Sequence, residues 1–325
     1  MSDIKFKYSV SPTDDEINEV HQITPYTPFH YPPYVKLFSS LGEKPCTLAL
    51  YDGSDIITGC IGFVTKGFMS GTLEIKTVPE IPYPDIFWDG VLKVCKKLKV
   101  WELIVGSSHS IKSEIPHLLG EIERHKRYEY VLDLNSEKLF KSISHGHYER
   151  IKKAKKKGLS VMRSTDKISI MNHLNLMKKS MIRRKERGEN VIIPNSINFQ
   201  NLLLESKLGE LFQVSKNDSV LSSVLVVKIN KHAYTQTSGN SPKGMKIGTS
   251  HFLRFELANL LKKEGFIIFN IGGASDDNVG LQKFKEGFGA RRIELESASF
   301  SMVNPLKRII RNLTKQMYYR LTIPK

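Results

Sequence analysis

The segment "IGGASDDNVGLQKFKEGFGA", residues 271–290, brings glycines, acids, lysines and phenylalanines together in one short stretch of a lysine-rich chain. Residues 265–271, which lead into it, form a short run of β-branched and aromatic residues bounded by glycine, a pattern typical of a buried strand. The segment is therefore predicted to begin where a strand ends. Ligands of open α/β sheets bind beyond the carboxyl ends of the strands, so this segment is a candidate site.

The composition indicates a globular protein with two domains. A chain of 325 residues with 40% apolar residues can bury a sizeable core. Its three cysteines, Cys46, Cys60 and Cys95, are widely separated and form no CxxC pair, so neither a zinc site nor a disulfide framework is predicted. No apolar run approaches the roughly 20 residues that cross a bilayer. We expect a cytoplasmic protein, either soluble or peripheral at the inner face of the membrane.

The positive charge of the chain is concentrated in its second part. The net charge is +16. Residues 1–135 hold 14 Lys and Arg against 18 Asp and Glu, whereas residues 136–325 hold 35 against 15, so the two parts carry −4 and +20. A part this cationic favours nucleic acid, nucleotide-linked substrates or anionic lipid as partners. The alternative is a lysine-rich solvated surface without a partner, and the acidic first part argues against it.

The order of predicted elements suggests a duplicated α/β unit. The first part predicts a hairpin at 46–64 around an Asp-Gly turn, a helix at 85–99 and a strand at 101–105. The second part predicts elements of both kinds in a similar order: helices near 136–157, 166–187 and 249–264, and strands near 211–215, 220–229, 232–238 and 266–271. No fixed-period sequence repeat is visible, so the duplication rests on element order alone.

A glycine-containing loop is predicted before the helix at 249–264. Its sequence is "PKGMKIGTS", residues 242–250, with two lysines and with Thr249 and Ser250 at the start of the helix. A helix N-terminus with such a loop can present backbone N–H groups and positive charge to an anion. The loop is therefore a candidate anion-binding segment.

Three segments in this order resemble motifs of the Fem-type aminoacyltransferases, which build peptidoglycan interpeptide bridges, and of their acetyltransferase-like (GNAT) relatives. "YERIKKAKKKGLSV" at 148–161 is similar to the family's R-x-I-x-K-A-x-x-x-G-V, "GTSHFL" at 248–253 to G-A-S-H-L-L, and "LQKFKEGFG" at 281–289 to L-x-x-F-K-x-x-F-G. The resemblance covers residues 136–300 well and the first part only by element order.

The resemblance implies an α/β (α+β) fold of tandem GNAT-like domains, with mixed sheets flanked by helices and a cleft between the domains. The expected bounds are 1–135 for the N-terminal domain, 136–303 for the C-terminal domain that carries the motifs, and 304–325 for a basic amphipathic helix.

The resemblance also implies site residues. Lys285 matches the family lysine that contacts the activated acyl donor and stabilises the oxyanion of the transition state, with Phe284 beside it and Tyr234 shaping the cleft. The remaining expected site residues are Lys246, Gly248, Thr249, Ser250 and Lys283 for the donor, and Arg184, Arg187, Gln236 and Ser238 for the acceptor. The alternative is that Phe284 and Phe288 are core anchors and that Lys285 is solvated.

Several positions depart from the family pattern and leave donor and acceptor open. Gln236 replaces the second aromatic of a Y-x-Y pattern, and Asn270 stands where relatives often have aspartate. Met245 occupies the first position of the loop that binds pyrophosphate in coenzyme-A acetyltransferases. This difference weakens the hypothesis that acetyl-CoA is the donor.

Other charged and polar clusters have two interpretations each. The basic runs at 150–157 and 178–187 are solvated helix faces or contacts to phosphates. His145 and His147 have no third metal ligand at suitable spacing, so no metal is predicted, and His251 is expected to be structural. No Ser-His-Asp or nucleophile-elbow pattern occurs, so an acyl-enzyme is not expected.

The leading hypothesis is an N-acyltransferase with no tightly bound cofactor, in which an acceptor amine attacks an activated acyl donor. Aminoacyl-tRNA is the favoured donor and an amino-bearing cell-envelope precursor the favoured acceptor. The enzyme alternative uses an acyl-CoA or acyl-carrier donor and an amino sugar of a surface polysaccharide. The non-enzymatic alternative is a degenerate GNAT-like protein that binds RNA or membrane.

The tail at 305–321 has apolar residues at helical spacing and a basic opposite side. It is expected either to pack on the protein or to contact an anionic membrane surface.

Overall fold

The computed structural model describes residues 3–67, 70–110, 114–164, 166–189, 191, 198–217, 219–276 and 278–304. The chain divides into two compact units, of which the first ends at Arg127 and includes the chain again from Glu294, while the second spans Tyr128–Ile293. Residues 128–135 thus lie in the second unit and residues 294–303 in the first, in contrast to the expected domain bounds. The expected C-terminal helix lies outside the described residues, apart from Asn304.

The described strands, in chain order, are β1 (Ile4–Ser9), β2 (Lys44–Asp52), β3 (Asp55–Gly67), β4 (Ser70–Ile75), β5 (Glu102–Gly106), β6 (Glu121–Asp133), β7 (Val161–Ser164), β8 (Gly209–Lys216), β9 (Ser219–Ile229), β10 (His232–Asn240), β11 (Ile268–Ala274) and β12 (Arg291–Ser301). The described helices are α1 (Asp14–Ile23), α2 (Pro32–Ser40), α3 (Pro84–Lys97), α4 (His145–Lys155), α5 (Lys167–Glu186), α6 (Asn198–Glu205), α7 (Pro242–Ile247), α8 (Thr249–Lys263) and α9 (Val279–Glu286), with a 3-10 turn at Pro28–His30.

The first unit has a mixed sheet in the order β1-β2-β3-β4-β5-β12. Neighbouring strands are antiparallel, except that β4 and β5 are parallel and are joined through α3, because parallel strands need a crossover connection. The hairpin β2–β3 confirms the predicted one, and Gly53 in its turn has φ +59°. Its core includes Phe87, Trp88 and Phe300, and the free cysteines of the chain are buried in it.

The second unit repeats this arrangement with a mixed sheet in the order β6-β11-β10-β9-β8-β7. Among its described strands, β10 and β11 are the parallel pair, and α7 and α8 connect them. The helix α8 packs an apolar face on this sheet, where Phe252 and Leu257 join Phe212 and Phe269 in the core. The similar element order in both units agrees with the predicted duplication.

Three element bounds differ from the prediction. The helix expected at 136–157 begins only at His145, because the Ser144 hydroxyl caps it by accepting from the His147 N–H. The loop expected at 242–250 contains α7, which Ser241 caps and Pro242 opens. The strand expected at 266–271 runs from Ile268 to Ala274.

Within the described part of the chain, no helix combines the length and the apolar character needed to span a membrane.

Candidate active site

The parallel pair β10 and β11 separates towards its carboxyl ends. The two strands pair only over residues 232–234 and 268–270, although they continue to Asn240 and Ala274. Irregularities interrupt the pairing of each strand with its other neighbour, between Thr235 and Thr237 in β10 and between Asn270 and Gly273 in β11. Because bulges bend a strand and end its pairing, they leave a gap within the second unit.

A cavity of about 660 Å³ occupies this gap. The end of α5, the ends of β10 and β11, the first turns of α8, and α9 line it. The predicted site residues that line it are Arg184, Arg187, Gln236, Ser238, Ser250, Phe284 and Lys285. The fold therefore brings together predicted residues that are up to 101 positions apart in the sequence.

Lys285 is a buried cation in the cavity wall. It lies on α9 with 5% of its surface exposed, and its Nζ donates a hydrogen bond of 2.5 Å to the Ile271 carbonyl oxygen. Burial, and to a smaller extent the charge of Arg254, lower the pKa of Lys285 to about 7, and the charge of Glu129 opposes this shift. Both the ammonium and the amine are thus accessible near neutral pH. The alternative of a solvated Lys285 does not hold.

The backbone beside Lys285 is shaped by Asn270. Its Oδ1 accepts from the Gly272 N–H at 2.8 Å, and its Nδ2 donates to Glu129 Oε2 at 2.7 Å. Gly272 has φ +86°, and an added Cβ there would lie 3.3 Å from Lys285 Nζ. The positive φ favours glycine at this position, and a side chain there would also crowd the Lys285 ammonium.

Three arginines at the end of α5 line another part of the cavity. Arg184 and Arg187 both pair with Glu189, at 2.7 Å and 2.6 Å, so one carboxylate serves two predicted acceptor-binding residues. Arg183 Nη2 donates instead to the Asn240 carbonyl oxygen at 2.6 Å. Burial lowers the pKa of Arg183, and the charge of Arg187 adds to this. The charged groups in this part of the lining sum to a positive charge.

Two residues of the expected anion-binding loop have packing roles. Gly248 has φ +81°, and an added Cβ would lie 2.9 Å from the Arg150 carbonyl oxygen on α4. Thr249 is fully buried, and its hydroxyl shares a hydrogen bond with that of Ser222. Of this loop's predicted donor-binding residues, Ser250 lines the cavity.

Three further predicted residues lie outside the cavity lining. Tyr234 is buried, and its hydroxyl lies 3.1 Å from His232 Nδ1. Lys246 and Lys283 are exposed. Their predicted roles in donor binding and in shaping the site stay predictions.

Two histidines, His147 and His251, contact residues of α9 and the turn after it. His147 Nε2 donates to the Phe284 carbonyl oxygen at 2.8 Å, and its ring lies 4.5 Å from that of His251 and 4.8 Å from that of Phe288. Burial lowers the pKa of both imidazoles, that of His251 to about 3, so both are neutral. Among the described residues, no group of three or more His, Cys, Asp or Glu side chains could hold a metal.

Sequence reasoning missed Arg254 and Glu129. Arg254 lines the cavity with 7% of its surface exposed, and its Nη1 donates to Thr235 Oγ1 at 2.5 Å. A signal existed, because Arg254 shares a helix face with Ala258 and Leu261 at i+4 and i+7, both of which are buried. Glu129 lies between the buried Tyr128 and Tyr130 on β6. Because side chains alternate between the two faces of a strand, this pattern does not predict that Glu129 is buried.

The fold of this chain is similar to that of solved structures. FemX superposes with a TM-score of 0.66 at 12% identity, covering 97% of this chain and 99% of FemX. L-PGS from Bacillus licheniformis gives a TM-score of 0.57 at 13% identity, over 94% and 97% of the two chains. A tandem GNAT protein from the clavulanic acid biosynthesis pathway gives 0.56 at 11% identity, over 93% and 99%.

No family profile and no curated protein sequence matches the chain. The structural matches define its class: a mixed α/β protein with a tandem GNAT-like fold, as predicted. Within that class, the chain is similar in fold to FemX over nearly the whole length of both.

Proposed function

We propose that this chain is an N-acyltransferase that moves an aminoacyl group from aminoacyl-tRNA to an amine of a cell-envelope precursor. The observation that carries the proposal is Lys285, a buried lysine at the point where β10 and β11 separate around a cavity. The tandem GNAT-like fold supports the reaction class. The motif resemblance supports the donor and the acceptor.

In the proposed reaction, the acceptor amine attacks the carbonyl carbon of the aminoacyl ester. The new C–N bond pushes the carbonyl electron pair onto oxygen, and the Lys285 ammonium donates a hydrogen bond to this oxyanion. When the carbonyl re-forms, the bond to the ribose oxygen breaks, and that oxygen takes up the proton that the attacking nitrogen loses. The ester becomes an amide, and no acyl-enzyme forms.

Two contacts of Lys285 support this role. Its bond to the Ile271 carbonyl oxygen holds Nζ in place, and the Gly272 backbone lets it approach without a steric clash. The water-poor surroundings strengthen a hydrogen bond to a developing charge relative to bulk water. Phe284 lines the cavity next to it and supplies apolar surface.

The remaining lining favours phosphate-bearing substrates. Arg183, Arg184 and Arg187 face the cavity with one carboxylate, Glu189, among them. Gln236 and Ser238 add polar groups on the β10 side. This charge suits a tRNA donor or a nucleotide- or lipid-linked acceptor. The tail at 305–321, outside the described residues, is the proposed contact to an anionic membrane.

The acyl donor is a co-substrate and not a resident cofactor. To test the donor, the purified full chain is incubated with charged tRNAs, with acyl-CoAs or with acyl-carrier proteins. Each reaction contains nucleotide-linked and lipid-linked peptidoglycan precursors and amino sugars, and products are followed by mass. We expect an aminoacyl mass increment with tRNA donors. Transfer only from acyl-CoA would show that acyl-CoA, and not aminoacyl-tRNA, is the donor. Binding without turnover of any donor would favour the non-enzymatic alternative.

A matched pair of variants tests Lys285 itself. Lys285→Met is expected to lower the turnover rate by about 10²–10³, the range for removing one oxyanion donor. Lys263→Met changes an exposed lysine in the last turn of α8 and serves as the control. Turnover by a folded Lys285→Met protein at the rate of the control would remove Lys285 from the mechanism.

A further inference from the structure

The side chain of Arg254 is an uncompensated buried charge in the cavity wall. It projects from α8, 7% of its surface is exposed, and burial lowers its pKa to about 10. Its hydrogen bond goes to a neutral hydroxyl, Thr235 Oγ1. Within the described residues, no carboxylate forms an ion pair with its guanidinium. A buried cation without a counter-charge is costly, so this position favours an anion from a ligand.

The charges around Arg254 indicate the charge of that anion. Lys285 lines the same cavity, and the charge of Arg254 lowers its pKa. The buried Glu129 carboxylate acts on Lys285 in the opposite sense. With Glu129 ionised and Lys285 partly protonated near pH 7, these three groups carry at most one net positive charge, which a monoanion neutralises. A phosphate dianion would leave excess negative charge in a poorly hydrated place.

The geometry of a guanidinium also favours a carboxylate. One edge of its planar fork can donate two parallel hydrogen bonds to the two oxygens of one carboxylate. Lys285 Nζ already donates to a carbonyl oxygen and is assigned to the reacting carbonyl in the proposed mechanism. Arg254 is therefore the cation at this end of the cavity that is open to a substrate group.

We infer that Arg254 is a carboxylate-binding residue, and that the substrate reacting beside Lys285 carries a carboxylate. The inference that the substrate carries a carboxylate rests on the proposed acyltransferase function. The carboxylate belongs either to the acyl group, as in an acidic aminoacyl or dicarboxylic acyl donor, or to an acceptor whose reactive amine is part of an amino acid. Its binding also neutralises Arg254 and so helps Lys285 to stay protonated during the reaction.

Binding of small probes to the full chain tests the site without any turnover. The probes are glutarate, its uncharged diamide glutaramide, and inorganic phosphate, each titrated by calorimetry. We expect wild-type protein and the exposed control Arg291→Met to bind glutarate, and Arg254→Met to bind it more weakly by about tenfold or more. Arg254→Lys keeps the charge but loses the fork, so intermediate binding is expected. Equal binding of glutaramide, phosphate binding that Arg254→Met weakens more than it weakens glutarate binding, or unchanged glutarate affinity in Arg254→Met would overturn the inference.

A measurement on wild-type protein decides the matter if Arg254→Met does not fold. With lysine labelled at the ε-carbon, the titration of Lys285 is followed by NMR with and without glutarate. The pKa of Lys285 is expected to rise when glutarate is bound and to stay unchanged with glutaramide. A titration that glutarate does not move would contradict a carboxylate site at Arg254.

Activity assays distinguish the two sources of the carboxylate. Aspartyl-tRNA and asparaginyl-tRNA differ at one group of the donor, and an amino-acid acceptor and its amide differ at one group of the acceptor. The pair whose rates differ in wild type but not in Arg254→Met identifies the source. If no donor is turned over, glutarate binding through Arg254 still upholds the site. If transfer occurs at equal rates for both members of both pairs, the site fails while the acyltransferase function stands.

Discussion

At the scale of single residues, the charge state of Lys285 determines which chemistry it can perform. Its pKa of about 7 lies below the usual value for lysine, so the protonated form is lost as the pH rises through neutrality. An ammonium stabilises an oxyanion, whereas a neutral amine would act as a base. The dependence of turnover on pH therefore reports the role of this side chain.

We expect the ratio of the wild-type kcat/KM to that of Lys285→Arg to fall as the pH rises above about 7, because the active form of Lys285 is the protonated one and a guanidinium stays charged. The acceptor amine must lose its proton in both reactions, so its titration cancels in the ratio. A ratio that stays constant or rises between pH 6 and pH 9 would show that the protonated form of Lys285 is not the active one.

A second prediction concerns Asn270, whose amide donates to Glu129 Oε2. Asn270→Asp replaces this donor with an acceptor and buries two carboxyl groups side by side. We expect the free energy of unfolding at pH 7 to fall by about 2–4 kcal/mol. One carboxyl will have a raised pKa in the folded state, so the folded state binds more protons and the loss grows as the pH rises from 4 to 7.

Denaturant unfolding at several pH values measures this loss. Asn175→Asp, at an exposed position on α5, is the control and should change stability little. A loss in Asn270→Asp that is the same at pH 4 and pH 7 would show that the two carboxyl groups do not interact.

At the scale of elements, the junction of α7 and α8 depends on Gly248. Its positive φ and its contact with the Arg150 carbonyl oxygen both exclude a Cβ. Gly248→Ala is expected to lower the free energy of unfolding by about 1–3 kcal/mol. Gly146→Ala, inside α4 with no atom within 4 Å of the added Cβ, should raise it by about 0.5–1 kcal/mol. Similar changes in both variants would show that the junction tolerates a side chain.

The elements also show what the sequence could reveal. The hairpin β2–β3 and the helices α5 and α8 follow from turn residues and apolar spacing, because those signals are local. The start of α4 did not follow, since "NSEKLFKSIS" at 135–144 has helix-forming residues and the Ser144 cap competes with several other polar residues. The helix α7 was not predicted for a related reason. Gly244 inside it weakens the helical pattern, so Ser241 as N-cap and Pro242 in the first turn are the local signals for this helix.

The site was predictable to the extent that motifs are local. Lys285 and Phe284 stand in one motif, and the cavity contains both. By contrast, the pairing of Arg184 and Arg187 with Glu189 depends on which residues the fold brings together. The same is true of the buried charge of Arg254 in the cavity wall. The bulges of β10 and β11 that open the cavity have no sequence signature apart from Gly272 and Gly273.

At the scale of the whole molecule, the uneven charge governs the binding of a tRNA donor. Residues 136–325 carry 35 Lys and Arg against 15 Asp and Glu. Contacts between these cations and phosphates release counterions, so the affinity for tRNA should fall by about tenfold or more between 50 and 200 mM salt. Filter binding or fluorescence anisotropy across that range measures the slope. An affinity that does not change with salt would point to a donor without a polyanionic carrier.

The position of β12 determines the order in which the two units can be completed during synthesis. The first unit takes a strand from the far end of the described chain, because residues 297–301 of β12 pair with β5. While the ribosome makes the second unit, β5 therefore exposes an unpaired edge, and the core around Leu103 lacks Phe300. The unit that emerges first is completed last, and until β12 has been made its open strand edge is available for pairing with other nascent chains.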